Sequence, residues 1–221
     1  MKHLAPALLL SCLLAVAAPV HCLAQSVDTQ SLPAPGTPAA QMYAWIMQSG
    51  DHGDLPFVII DKRAARIWIY RADGKLAETS PVLLGIAIGD ESVPGIGLRP
   101  LSQIKPEERT TPAGRFLLEA GYNTAGESIF WIDYDAAVSL HRVRRGSPGD
   151  RRLHRLATPT EADNRISYGC VNMPVAVYNR SIHPLFIRHG GYAYVLPEVM
   201  DLRSAFPTLA HLMPEAPRIG P

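Results

Sequence analysis

Two apolar stretches, FVII at residues 57–60 and RIWIY at residues 66–70, lie on either side of a short charged segment. Both are dominated by β-branched and aromatic residues, which pack well on a pleated, half-buried surface. Asp73-Gly74 follows the second stretch as a turn signal. This pattern predicts two neighbouring strands and a turn, and makes β structure the framework of the chain.

Other segments extend this framework along the chain. Further stretches have the composition of strands, at residues 82–88, 116–118, 129–134, 136–140 and 192–196. Helical patterns are confined to residues 41–48 and to residues 174–187, where Pro184 limits the second helix. Residues 89–109 and 142–165 are predicted to be long loops. The predicted fold class is mainly β with a few helices (α+β), in a single domain.

The first 24 residues have the features of a secretory signal peptide. Lys2 and His3 form a polar start, residues 4–18 are almost wholly apolar, and Ala24 is a small residue at the exit. The apolar run is too short for a comfortable membrane span. Lipidation is disfavoured because Cys22 follows His21 where a small residue is needed. We therefore predict export across the inner membrane to the periplasm or cell envelope, with no stable membrane anchor after cleavage.

The remaining chain is divided by composition. Residues 25–40 are small, polar and rich in proline, and we interpret them as a linker. Residues 41–198 form the predicted folded domain, and residues 199–221 a C-terminal tail of unassigned role. The 21 Lys and Arg residues nearly balance the 20 Asp and Glu residues. This balance argues against a nucleic-acid partner, which would require a basic surface.

Cys170 is a candidate nucleophile. The other two cysteines, Cys12 and Cys22, lie in the signal segment, so the exported chain keeps one thiol. Such a thiol is buried and inert, paired between chains, or reactive. Cys170 follows Gly169 and precedes a predicted helix, whose positive end would favour the thiolate. We favour the reactive interpretation.

A cysteine nucleophile needs a base within hydrogen-bond reach, and two histidines are candidates. His141 ends the apolar segment 136–140, where a strand end presents a side chain to a loop. His154 lies among arginines and is closer to Cys170 in sequence, 16 residues before it against 29 for His141. We prefer His141, and the alternative remains open at this point.

The hexapeptide Ser167-Tyr168-Gly169-Cys170-Val171-Asn172 resembles the signature of L,D-transpeptidase catalytic domains, the YkuD-like family. A Thr-Pro-x-Gly element at residues 111–114 and a final Gly-led strand at residues 191–196 agree with it, so the resemblance covers about residues 55–197. Two positions depart from the family pattern. Tyr168 stands where many members have His, and Arg142 follows His141 where the family has Gly.

The resemblance implies a β-sandwich-like catalytic fold and a cysteine acyltransferase that acts on peptidoglycan stem peptides. Cys170 would form a thioester, with His141 as base and then acid, and an amine would resolve it into a 3→3 cross-link. Oxyanion or substrate contacts would come from residues around the thiol: Gly169, Ser167, Tyr168, Asn172 and Arg142. No metal or organic cofactor is implied, and carbapenem-type inhibitors would acylate the thiol.

Two alternatives use the same site. In the first, water replaces the amine, which gives an L,D-carboxypeptidase or hydrolase. In the second, the domain binds peptidoglycan without turnover. The departures at Tyr168 and Arg142 motivate the inactive alternative. Arginines are concentrated between residues 142 and 165, and are either a solvated surface or a site for the free carboxylates of stem peptides.

Overall fold

A computed structural model describes residues 31–212, and within them the chain forms ten strands and five short α-helices. The strands are β1 (Phe57–Asp61), β2 (Arg66–Tyr70), β3 (Leu76–Pro81), β4 (Leu84–Gly85), β5 (Gly114–Tyr122), β6 (Ser128–Asp133), β7 (Val138–Arg142), β8 (Arg165–Ser167), β9 (Val171–Met173) and β10 (Gly191–Leu196). The helices are α1 (Pro38–Ser49), α2 (Arg152–Ala157), α3 (Val175–Val177), α4 (His183–Phe186) and α5 (Leu202–Ala205). A π-helical turn, Tyr178–Ile182, joins α3 to α4. The predicted signal peptide, residues 1–24, lies outside the described residues.

Eight strands form one sheet in the order β3-β2-β1-β10-β5-β6-β7-β9, and β4 pairs with β8 in a small second sheet. Within the large sheet, β1–β10 and β7–β9 are parallel and the other pairs are antiparallel. The predicted fold class, mainly β with a few helices, is confirmed. The structure adds β3, β8 and β9, whose polar or very short sequences gave no strand signal.

Strand β5 connects the two halves of the large sheet. Its first part, from Gly114 to Leu118, pairs with β10, and its second part, from Glu119 to Tyr122, pairs with β6. Apolar side chains from both halves belong to one core cluster, which includes Val58 and Ile69 on one side and Leu140 and Val171 on the other. One continuous sheet thus supplies both halves of a shared core.

A second apolar cluster covers the opposite face of β1, β2 and β10. Helix α1 contributes Met42 and Ile46, which are fully buried. Phe206 and Leu209, from the segment that the sequence analysis places in a C-terminal tail, are buried in the same cluster. Residues of the predicted C-terminal tail thus pack against the predicted domain. None of the helices within residues 31–212 has the length and apolar character that crossing a bilayer requires.

A buried ionic network joins segments that are distant in sequence. The Lys62 ammonium lies 2.6 Å from Asp90 and 3.6 Å from Glu198, and Glu198 also pairs with Arg165. Asp90 accepts hydrogen bonds from three consecutive backbone N–H groups, at residues 198–200. Two positive and two negative charges thus satisfy one another in the interior, as buried charges must. Because Arg165 begins β8, the network anchors the segment that leads to Cys170.

Replacing Asp90 by Asn is expected to lower the free energy of unfolding by about 3 kcal/mol, because the partner Lys62 charge stays buried. Burial alone would raise the pKa of the Asp90 carboxyl, but the Lys62 hydrogen bond and the backbone donors hold it at about 2. Its contribution is therefore complete above the ordinary carboxyl pKa and is lost as the pH falls from about 4 to about 2.

Chemical denaturation of both proteins across this pH range tests the prediction. Asp73→Asn is the matched control, because Asp73 pairs with Lys75 on the surface and exposed pairs contribute little. Equal losses of stability in the two variants would contradict the role assigned to Asp90.

Candidate active site

The parallel pairing of β7 with β9 brings the predicted nucleophile and base together. In this register Leu140 lies opposite Val171, and His141 lies opposite Asn172. Since side chains alternate along a strand, Leu140 and Val171 enter the core while Ser139, His141 and Asn172 face the other way. Cys170, one residue before β9, opens onto the same face. His141 and Cys170 thus lie side by side although they are 29 positions apart in the sequence.

The Cys170 sulfur has three polar neighbours in the described residues. The His141 imidazole faces it closely enough to affect the pKa of the thiol, Ser139 Oγ lies 3.6 Å away, and the Ala137 carbonyl oxygen lies 3.6 Å away. On the other side of the imidazole, His141 Nδ1 is 2.7 Å from the Arg142 carbonyl oxygen. A carbonyl only accepts, so Nδ1 carries a proton and Nε2 is left to face the thiol.

The two groups shift each other's pKa in opposite directions. Burial by itself would raise the pKa of the Cys170 thiol, but the hydrogen bond and charge of His141 hold that pKa below its ordinary value. Burial would lower the pKa of His141, and the Cys170 partner raises it above the ordinary value instead. This is the direction expected of a thiolate–imidazolium pair.

The expectation that a helix dipole activates Cys170 is wrong. Strand β9 follows Cys170, and helix α3 begins only at Val175. Asn172 lies within β9 as well. The lowered thiol pKa is therefore caused by a neighbouring side chain and not by a helix terminus.

A tight turn before Cys170 is held by two hydroxyl groups. Ser167 Oγ accepts from the Gly169 N–H and donates to the Cys170 carbonyl, at 3.1 and 2.6 Å. Thr111 Oγ1 donates to the Gly169 carbonyl at 2.8 Å. Gly169 has φ +124°, and a Cβ there would lie 2.7 Å from the Thr110 carbonyl oxygen. Only glycine fits this position without displacing backbone.

Asn172 and Tyr168 complete the immediate surroundings of the thiol. Asn172 is buried, donates to the Cys170 carbonyl and accepts from Arg152 Nη1, each at 3.1 Å. The Tyr168 ring lies under the Arg109 guanidinium at 3.8 Å. Asn172 thus supports the backbone of the nucleophile, whereas Tyr168 forms part of the cavity wall.

The structure does not place Arg142 at the site, and its predicted substrate contact is corrected. Arg142 is on the opposite face of β7 from His141, lies over the Tyr178 ring, and donates to Ser128 and Asn179. Alternation along the strand accounts for this, because neighbours in sequence face opposite sides. His154, on α2, is exposed and lines a separate surface depression.

A cavity of about 320 Å³ opens above the thiol. Loop 89–109 forms one wall through Ile96, Leu101 and Ile104. Gly97 fits tightly against the β6–β7 turn, where a Cβ would lie 2.2 Å from the Asp135 carbonyl oxygen. The sequence predicted only that residues 89–109 form a loop. Their Gly and Pro residues do not indicate which part of the fold the loop packs against.

Two arginines from the predicted arginine-rich segment, residues 142–165, line the cavity, together with one from loop 89–109. Arg152 and Arg144 both border it, and Arg99 does so while paired with Glu108. Ser139 was missed by the sequence analysis, because it lies inside a strand identified by its apolar neighbours. The sequence did offer one sign of it, because Ser139 is a polar residue on the same face of the strand as His141. No cluster of three or more His, Cys, Asp or Glu side chains within residues 31–212 is arranged to hold a metal ion.

Comparisons with known proteins find likeness at the level of structure. No family model and no curated protein matches the chain. It is similar to an L,D-transpeptidase from Stackebrandtia nassauensis at 16% identity and TM-score 0.37, covering 65% of this chain and 56% of that one. It is similar to the helical cell shape determining protein Pgp2 from Campylobacter jejuni at 15% identity and TM-score 0.43, covering 71% and 55%.

A third match is the catalytic domain of an Enterococcus faecium L,D-transpeptidase, at 18% identity and TM-score 0.37. It covers 65% of this chain and 98% of that domain. The chain thus spans little more than half the length of the first two proteins. These values describe a likeness in fold to L,D-transpeptidase catalytic domains.

Replacing His141 by Ala is expected to move the pH dependence of Cys170 alkylation upward, toward the ordinary thiol pKa of about 8.5. The reason is that the imidazolium charge that favours the thiolate is lost. The rate of iodoacetamide labelling, followed at the Cys170 peptide by mass spectrometry, measures the shift.

His154→Ala serves as the control, because the exposed His154 does not line the cavity. If His154→Ala moved the profile and His141→Ala left it unchanged, the pairing described here would be refuted.

Proposed function

We propose that this protein is an exported cysteine acyltransferase that acts on peptidoglycan stem peptides. The observation that supports the proposal most directly is that Cys170 and His141 line the same open cavity, where the imidazole lowers the pKa of the thiol. A polarised thiol with an oriented imidazole is the arrangement that nucleophilic acyl transfer requires. The signature around Cys170 directs the proposal to L,D-transpeptidation.

In the first step the Cys170 thiolate attacks a peptide carbonyl of the donor stem, on the L-centre of its diaminopimelate residue. The carbon–sulfur bond forms, and the carbonyl electrons move to oxygen. When the tetrahedral intermediate collapses, the bond to the terminal D-Ala nitrogen breaks and the His141 imidazolium protonates the leaving amine. The product is a thioester on Cys170, with neutral imidazole beside it.

The second step reverses these roles. An amine of another stem attacks the thioester, neutral His141 takes its proton, and the Cys170 thiolate leaves. Water in place of the amine gives hydrolysis by the same chemistry. The oxyanion in both steps is assigned to the Cys170 N–H, because the Gly169 N–H already donates to Ser167.

The surroundings of the pair fit a cell-envelope role. The N-terminal segment, residues 1–24, is proposed as the export signal, with the mature protein in the periplasm. Arg144 and Arg152 border the cavity and would meet the free carboxylates of stem peptides. Arg152 also reaches Asn172, so it connects the cavity rim to the nucleophile's backbone.

Replacing Cys170 by Ala is expected to abolish acyl transfer and leave the fold intact, because a small side chain replaces another. Mass spectrometry of muropeptides after incubation with purified protein measures cross-linked and trimmed products. In parallel, a carbapenem should add its mass to Cys170 in the parent protein and not in the variant.

The outcomes separate the alternatives within the proposal. Cross-linked stems indicate transpeptidation, and stems shortened by D-Ala indicate hydrolysis. If the stem peptides stay intact while the carbapenem labels Cys170, the protein has a reactive thiol but does not act on stem peptides. Turnover retained by Cys170→Ala would overturn the thioester mechanism.

Replacing Arg144 by Gln is expected to raise KM for stems with free carboxylates by up to about tenfold, because one charge-assisted contact of about 1.5 kcal/mol is lost. Amidated stems should be affected less, since they lack that charge. Steady-state kinetics on the two substrates make the comparison.

Arg145→Gln is the matched control, since Arg145 is the next residue and is exposed, but does not line the cavity. Equal kinetics for both variants on both stems would assign Arg144 to the solvated surface.

A further inference from the structure

Ser139 is a polar residue at a buried position of an otherwise apolar strand segment. It lies between Val138 and Leu140, which are both in the core, and its own side chain faces the cavity. Only 5% of the residue is exposed. In the register of β6 with β7 it lies opposite Trp131. A small apolar residue would fill this position equally well if packing alone determined it.

The hydroxyl of Ser139 has one polar partner among the described residues. That partner is the Cys170 sulfur, at 3.6 Å from Oγ. Buried hydroxyl groups in folded proteins almost always have a hydrogen-bond partner. Among residues 31–212 the sulfur is thus the acceptor available to the hydroxyl hydrogen, and it becomes a good acceptor once it is a thiolate.

The other neighbours of the Cys170 sulfur show that the Ser139 hydrogen bond is needed by the thiolate and not by the neutral thiol. The Ala137 carbonyl lies at 3.6 Å and can accept from a neutral thiol, but has no hydrogen to offer a thiolate. The side chains of His141 and Ser139 are the neighbours of the sulfur among residues 31–212 that can donate to a thiolate. Deprotonation of Cys170 therefore exchanges the Ala137 contact for donation from Ser139.

We propose that Ser139 is a positioning residue that donates its hydroxyl hydrogen to the Cys170 thiolate and holds the sulfur toward the cavity. The inference rests on the proposed function only in taking the thiolate as the nucleophile. Ser139 takes no part in bond making, and its effect is exerted through the fraction of Cys170 that is ionised and through the direction of its sulfur.

Replacing Ser139 by Ala should raise the pKa of Cys170 by about one unit, the usual effect of losing one hydrogen bond to a charged group. At pH values below both pKa values, iodoacetamide labelling should then be about tenfold slower. Full pH profiles of labelling at the Cys170 peptide measure the shift, and both rates should converge at high pH, where the thiol is fully ionised.

Two further comparisons keep the result specific. Ser80→Ala removes a hydroxyl that is equally buried but bonded to the Pro81 carbonyl, so it reports the general cost of the change. Ser139→Thr and Ser139→Val differ only in the hydroxyl group. We expect Thr to keep the low pKa and Val to lose it, so the test does not depend on the Ala variant folding.

The result that would overturn the inference is a Cys170 profile unchanged in Ser139→Ala and Ser139→Val, or shifted equally by Ser80→Ala. The proposed function fails separately. Labelling and titration need no acyl donor, so a parent protein with a low thiol pKa but no action on muropeptides would refute the transpeptidase proposal while leaving Ser139 in its role.

Discussion

The site depends on the parallel pairing of β7 with β9. This short ladder fixes Leu140 against Val171 in the core and so determines which residues face outward. A shift by one residue would send His141 into the core and Leu140 to the cavity, because the side-chain period of a strand is two. The burial of apolar residues on one face therefore sets the geometry of the polar residues on the other.

A second constraint fixes the segment that leads into Cys170. The chain reaches Cys170 through β8, and Arg165 at the start of β8 belongs to the buried network of Lys62, Asp90 and Glu198. The turn between β8 and β9 is then closed by Ser167 and Thr111. The nucleophile is thus held at both ends of its loop by groups whose own hydrogen bonds are satisfied, which is how rigid elements preorganise a reactive side chain.

The long segment between His141 and Cys170 adds surface features without disturbing the pair. Its α2 helix carries His154 outward, and its Arg152 reaches back to Asn172. The net charge of the whole chain is close to zero, although positive charge is concentrated at the cavity. Charge that is placed on one rim has a local effect that the net charge of the chain does not express.

The sequence by itself determined the β-rich fold class, because residues 57–60 and 66–70 carry a local composition that only strands satisfy. It also singled out Cys170 and His141, since a lone thiol and a histidine at a strand end are visible without coordinates. Tertiary structure alone decided that β9 and not a helix follows Cys170 and that Arg142 faces away. It also decided that Ser139 lies beside the thiol and that Arg144 and Arg152 border the cavity. The physical reason is that these placements depend on strand register and on contacts between residues far apart in the chain, for which local composition carries no signal.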